Sequence, residues 1–393
     1  MFFKIYKKSL SDWQRGKIKG VIFLFLRRLN FYWLLEAFKL FLCKSYRLIS
    51  ADNVDEVFAQ NSIAFSVKTY EDNIRSSYSL NDDKLDDFKL SYFKSETIVL
   101  DIQEPEFSLR NNHLIDDKLN VIGGYRIPFK KLPIHNQFLS NPSSYEGIIA
   151  YLSDPAYLNY YHWMCGTLPF LATYKEYISL DEIDYFYVGE DGISKFHLES
   201  LARAGVSPEK ILLNACTSSR ILAGITNRFI GFNDPISYSS YVYTRQLFSE
   251  FLEYGLHQPK KRVYIKRGNV SRRRVLNEKV LLEFLEKKDF EIFQMDDKSI
   301  EEQAKIFSSA EIIVAPHGAA LTNLLFVSPE TRIIEILPNG YTNNCFSVLA
   351  SHAGAKHFYL QGQPTEAFNS NTQEFDIRVD VNKLSLLLEK VGI

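Results

Sequence analysis

The stretch that decides the fold is IIVAPHGAALTNLLF, residues 312–326. Four apolar residues run into Pro316, and the pattern then restarts as AALTNLLFV. A short unbroken apolar run bounded by Pro and Gly reads as a strand buried on both faces, the habit of a parallel sheet. The second run reads as a helix. His317 and Gly318 therefore fall on the loop between a strand's carboxyl end and a helix N-terminus, where open parallel sheets bind ligands.

The alternation continues on both sides. RVYIKR (262–267), FEIFQM (290–295), EIIVAP (311–316), RIIEILP (332–338) and KHFYL (356–360) read as strands. NEKVLLEFLEKKD, SIEEQAKIFSSA and NNCFSVLASHAG read as the helices between them, and Ser299 and Glu302 have capping-box spacing. Such alternation implies a parallel sheet with helices on both faces. Upstream, EGIIAYLS, IDYFYVGE and KILLNA are strands, while HWMCGTLPFLATYKEYI and SKFHLESLARAGV are helices. SYVYTRQLFSEFLEYGL (240–256) reads as one long amphipathic helix closed by Gly255. Residues 48–145 suggest only short strands.

The chain has 393 residues, and one core rarely grows past about 250–300, so two domains are expected. The boundaries read as an arm at 1–47, an N-terminal α/β domain at 48–240, a C-terminal α/β domain at 241–375 and a last helix at 376–393. The overall charge of −1 hides an asymmetry: residues 1–47 hold eleven Lys and Arg against two acids, a net +9. The segment GVIFLFLRRLNFYWLLEAFKLFLC is apolar and aromatic, but Arg27, Arg28, Glu36 and Lys39 interrupt it. A spanning helix needs about 20 nearly uncharged residues. The segment instead suits a basic amphipathic helix lying on an anionic membrane surface. The plainer reading is a helical hairpin docked on the body. Nucleic-acid binding fits poorly, because apolar bulk outweighs the interleaved charge. Cysteines 43, 165, 216 and 345 form no CxxC pair, which points to reduced thiols rather than zinc or redox chemistry. No secretory signal is read, so the expected place is cytoplasmic, at the inner face of the cell membrane.

The strand ends gather one kind of chemistry. Lys266, Arg267 and Gly268 follow the first C-terminal strand, and Arg272, Arg273 and Arg274 follow on its loop. Guanidinium groups suit paired phosphate oxygens, and a helix N-terminus suits phosphate. Gly318, Ala319 and Ala320 allow close approach, and Thr322 and Asn323 add polar contacts. Glu335, late in its strand, suits a ribose diol. Taken singly, the SRRR run reads as a solvated loop, Arg267 as an ion-pair partner and His317 as a core histidine. Together they suggest a nucleotide diphosphate site.

RVYIKRGNVSRRRVLNE, then EEQAKIFSSAEIIVAPHGAALTNLLFVSPETRIIEILP, resembles glycosyltransferase family 61, as does the upstream NYYHWMCGTLPFL. The resemblance covers roughly 146–365. It implies a GT-B fold, two Rossmann-like domains facing a cleft. It also implies inverting transfer from a nucleotide donor, usually a UDP-sugar, held by the C-terminal domain. Carried over, Arg267 and Arg273 contact the diphosphate, His317, Gly318 and Ala319 line the nucleotide pocket, Thr322 and Asn323 flank it, and Glu335 holds the ribose. The family commonly has Asp and Arg where this chain has Gly166 and Phe170, and HGAG where it has HGAA, which leaves the base open.

No Asp-x-Asp tripeptide occurs in the sequence, so transfer without a metal is expected, with arginines and a helix dipole neutralising the leaving group. The expected base is His162, with Asp154 and Glu146 as fallbacks. The alternative for His162 is a hydrogen bond to acceptor or backbone without proton transfer. Asn159, Tyr160, Tyr161 and Trp163 are candidate acceptor contacts. The acceptor is expected to be a saccharide or lipid-linked saccharide in surface polysaccharide synthesis. The competing readings are an epimerase or hydrolase acting on sugar nucleotides, and a non-catalytic nucleotide-sugar-binding protein.

Overall fold

A computed structural model describes residues 99–393 except 104–105, 117–120, 123–138, 227–235, 259, 269 and 366–374. It also gives the backbone of strand segments 48–49, 64–72, 77–81, 84–88, 93–98, 121–122 and 225–226. The expected basic arm, 1–47, lies outside the described residues.

The C-terminal sheet follows the sequence pattern. Its parallel strands lie in the order Phe290–Phe293, Lys261–Ile265, Ala310–Pro316, Arg332–Leu337, Lys356–Gln361. In chain order that is 2-1-3-4-5, a doubly wound arrangement. Both faces are covered, as the unbroken apolar runs require. Ile312 and Val314 join Tyr264, Ile334 and Ile336 in one core, with Leu281 and Leu285 of helix Glu278–Glu286 and Leu384, Leu387 and Leu388 of the last helix, Val381–Lys390. Ile313 and Ala315 face the opposite side. The capping box forms, with Glu302 N donating to Ser299 Oγ at 3.2 Å and Ser299 N to Glu302 Oε2 at 2.8 Å.

Three local expectations change. The run after Gly318 is a 3-10 helix, Ala319–Phe326, rather than an α-helix. The long helix after 237 is two, Tyr238–Gln246 and Ser249–Leu256, broken where Phe248 turns into the core. The second of them ends at Leu256, one residue past Gly255. A Cβ on Gly255 would overlap the backbone of Ser308, so the residue permits close packing on helix Ile300–Ser308. A hairpin, Ser77–Asn81 and Lys84–Phe88, also extends this sheet beyond Lys356–Gln361, although its place in the sequence assigned it to the first domain.

The N-terminal half is not parallel throughout. Among the described residues its sheet has ten strands. Ser143–Tyr151, Tyr185–Tyr187 and Ile211–Leu212 run parallel, and Cys216–Thr226 runs parallel beside the first of them. On its other edge Cys216–Thr226 pairs antiparallel with Phe93–Ile102, which pairs antiparallel with Ala64–Asp72.

The halves share one core. Leu152, Trp163, Leu168 and Leu171 pack in the same cluster as Val263, Ile313, Leu324 and Phe326. The expected boundary at 240 falls inside helix Tyr238–Gln246, which bonds both sides. Thr244 Oγ1 donates to Met164 O at 2.9 Å, and Arg245 Nη1 to Leu325 O at 2.5 Å and Val327 O at 3.0 Å. Ile300 N donates to Glu199 Oε2 at 2.8 Å, so a first-half carboxylate caps a second-half helix. Gly255→Ala should destabilise the chain by about 1–3 kcal/mol, because backbone cannot move aside as a flexible side chain can; thermal and urea unfolding measure the loss.

Candidate active site

The sheet reverses its winding between Lys261–Ile265 and Ala310–Pro316, and the carboxyl ends of these two strands flank a crevice. Arg267 and His317 meet there: Arg267 Nη1 donates to the carbonyl of His317 at 2.5 Å. Gly318 lies against the guanidinium, and a Cβ at this position would overlap Nη1. Its φ of 176° is open to any residue, so what glycine provides here is room for the guanidinium rather than a special conformation. Burial, then the like charges of Arg273 and Arg272, pull the Arg267 guanidinium down to about 10. Arg273 is lowered by burial and by Arg272. Nε of Arg267 and Nε of Arg273 are buried with no hydrogen-bond partner. Such donors are rare in folded proteins and call for an acceptor.

The SRRR run divides its roles. Arg272 and Arg273 line the cleft. Arg274 turns away and donates to Asp376 from Nε at 3.0 Å and Nη2 at 2.5 Å. The C-terminal segment grips the loop further: Ile377 N donates to Arg274 O at 2.7 Å and Leu276 N to Ile377 O at 2.8 Å. Asn277 exchanges two bonds with Val379, both 2.9 Å. This clamp holds Arg273 at a φ of 56°, which a residue with a Cβ rarely adopts.

Glu335 does not reach the cleft surface. It is 0% exposed, and its oxygens accept from His317 Nδ1 at 2.5 Å and His357 Nε2 at 3.0 Å. Burial pushes this carboxyl up, but the charges and hydrogen bonds of the two imidazoles outweigh burial together and hold it at about 2. The expected ribose contact gives way to a buried anchor for His317. His357 was missed by sequence reasoning; its signal was a lone imidazole in the otherwise apolar strand KHFYL.

The opposite wall comes from the first half. Helix Tyr160–His162 continues into a π-helical turn, Trp163–Thr167, with Leu168 N donating to Trp163 O at 2.9 Å. Pro169 has no N–H for the carbonyl of Cys165, which favours the wider turn. Gly166 is buried inside this turn. Asn159 caps the helix, its side chain accepting from Tyr161 N at 2.9 Å, and it lines the cleft with Tyr161 and His162. Tyr161 meets Phe346 edge-on at 5.5 Å.

Several candidates sit elsewhere. Trp163 is fully buried, with Nε1 donating to Ser200 Oγ at 2.8 Å, so it is core and no sugar platform. Tyr160 donates to Asn323 Oδ1 at 2.9 Å, and Asn323 Nδ2 donates to Gln303 Oε1 at 2.6 Å. These two residues join the halves instead of flanking a ligand. Thr322 is buried behind the wall. Of the fallback bases, Asp154 is fully buried and accepts from Thr167 Oγ1 at 2.8 Å and from Ala156 N. Glu146 lies exposed early in strand Ser143–Tyr151, far from its carboxyl end. Neither lines the cleft.

The cleft encloses about 290 Å³. Arg272, Arg273, His317, Gly318 and Ala319 face Asn159, Tyr161 and His162 across it, with Tyr341 and Phe346 at one side. Among the described residues, none that lines it is a carboxylate. Residues 160–334 match the family model Glycosyltransferase 61. Over that segment the chain is similar to the glycosyltransferases of this family. The matched segment includes Tyr161 and His162 of one wall and Arg272, Arg273, His317 and Gly318 of the other. No curated protein matches the chain.

Glu335 also makes stability depend on acid. Its folded value near 2 lies below the ordinary 4.5, so its contribution is whole above 4.5 and fades as pH falls toward 2. The loss should be on the order of 3 kcal/mol. Glu335→Gln should lack that part of the acid transition, read from denaturant midpoints between pH 5 and pH 2.

Proposed function

We propose that the protein is an inverting glycosyltransferase. It moves a sugar from a nucleotide-diphosphate donor, a UDP-sugar, to a saccharide or lipid-linked saccharide in surface polysaccharide synthesis. The observation that carries this reading is the cleft itself. Guanidinium groups with unpartnered buried donors and the start of a 3-10 helix converge at the winding reversal of a parallel sheet, with no carboxylate among the described lining residues. Such a rim favours a diphosphate.

Inversion takes one displacement. The acceptor oxygen bonds to the anomeric carbon as the carbon–oxygen bond to the diphosphate breaks, and the electron pair leaves with the phosphate. A base removes the acceptor proton. His162 takes that role, on the wall facing the arginines. The developing negative charge meets cations already fixed in place, and preorganised donors of this kind replace a metal. Placement at the inner membrane face rests on the +9 arm of residues 1–47, each cation adding on the order of 1 kcal/mol near an anionic leaflet.

Thermal-shift screening against nucleotide sugars should find one that raises the unfolding temperature, since a ligand bound only by the folded chain stabilises it by mass action. With that donor and an acceptor panel, transfer should persist in EDTA. His162→Ala should lose about 10²–10⁴-fold in turnover, with donor affinity within roughly two-fold of wild type. Full turnover in that variant would remove His162 from the mechanism, and transfer abolished by EDTA would remove the metal-free route.

A further inference from the structure

The two oxygens of buried Glu335 each meet an imidazole nitrogen, Nδ1 of His317 and Nε2 of His357. An ionised carboxylate only accepts, so each ring must turn an N–H toward it. When the ring holds a single proton, that proton therefore sits on Nδ1, and the nitrogen left for the cleft is Nε2. The ring has little freedom to turn. His317 N donates to Ile336 O at 2.8 Å, its carbonyl accepts from Arg267, and Tyr341 and Phe346 pack on the ring at 5.2 and 5.1 Å.

The charged and titratable groups around His317 come from every neighbouring element. Glu335, with His357 behind it, lies on the two adjacent strands. Arg267 comes from the loop after Lys261–Ile265, and Arg272 and Arg273 from the arginine loop. Tyr341 and Cys345 follow strand Arg332–Leu337, and His162 stands on the other wall. Three guanidinium groups oppose one more positive charge at this point. A diphosphate reverses that field. It neutralises the guanidiniums and places a second anion against the ring, opposite Glu335.

We infer that a nucleoside diphosphate enters this cleft together with a proton, taken up by Nε2 of His317, which then donates to a β-phosphate oxygen while Glu335 holds the imidazolium from behind. The inference rests on the nucleotide-sugar reading. During transfer the electron pair of the breaking carbon–oxygen bond passes to that phosphate oxygen. The acceptor's proton leaves to the base on the other wall. The Nε2–H bond strengthens as charge gathers on the leaving oxygen. His317 is then a catalytic residue of the leaving-group side, and Glu335 is its positioning residue.

The test is calorimetry of UDP binding to the full chain near pH 8, well above the phosphate ionisation near 6. Runs in Tris and in HEPES, which differ in protonation enthalpy, report protons exchanged. Wild type should take up between roughly half and one proton per UDP bound. His317→Asn should lose the uptake and bind UDP about 10-fold more weakly. Glu335→Gln, checked for folding by circular dichroism, should still bind UDP with the uptake reduced. Equal heats in the two buffers for wild type would overturn the inference without touching the nucleotide-sugar reading, and need no variant. So would undiminished uptake in His317→Asn, which would put the proton elsewhere. No binding of UDP, GDP, ADP or dTDP by wild type would overturn both together.

Discussion

A carboxylate out of reach of water is held only by donors, and those of Glu335 arrive through strand register. Glu335 pairs with Ala315 on one side and Tyr359 on the other, which sets His317 and His357 within reach of its two oxygens. Strand Arg332–Leu337 alternates: Ile334 and Ile336 enter the outer core, while Ile333 faces the core shared with the first half. Glu335 shares the face of Ile333. A slip of one residue would turn the charge into the outer apolar cluster with no donor beside it, a cost of several kcal/mol. The charge therefore specifies register as well as the orientation of His317.

The cleft walls are set by packing rather than by a linker. The shared core, the Tyr160–Asn323 contact and the two bonds of Arg245 fix the distance between His162 and His317 from behind. Catalysis by positioned groups depends on such fixing, because an electrostatic site does its work without reorganising when charge moves. The same bonds explain why Tyr160 and Asn323, polar residues in suggestive places, do not touch the cleft. Each is spent on holding the two walls together.

What could be read from the sequence was local, and what could not was pairing. The strands ending at Ile265, Pro316 and Leu337 announce themselves by apolar runs, and the loops beyond them by Arg267 and His317. Their order in the sheet, which brings Arg267 against the His317 carbonyl, is a property of winding and is written in no single segment. Glu335 has the residue type of a ribose contact; only the neighbouring strand shows that its oxygens are taken. The π-turn at Trp163–Thr167 had a sequence cause in Pro169, but the ordinary helix spacing around it hides one extra residue. Hairpin 77–88 pairs across more than 270 residues of chain, beyond any pattern argument.

The arginine loop shows what concentrating charge requires. Arg273 has a left-handed backbone that costs on the order of 1 kcal/mol, and it stands beside two like charges. Neither term is relieved inside the cleft. Both are offset outside it, by segment 376–379, where Asp376 takes Arg274 and the backbone bonds of Ile377 close the loop. A loop free to relax would let the guanidiniums drift apart into water and would spend binding energy on gathering them again. Clamped, they repel one another in the resting protein, and an arriving anion relieves that repulsion. The clamp thus turns repulsion within the loop into affinity for an anion at the cleft, because the cations need no gathering when it arrives.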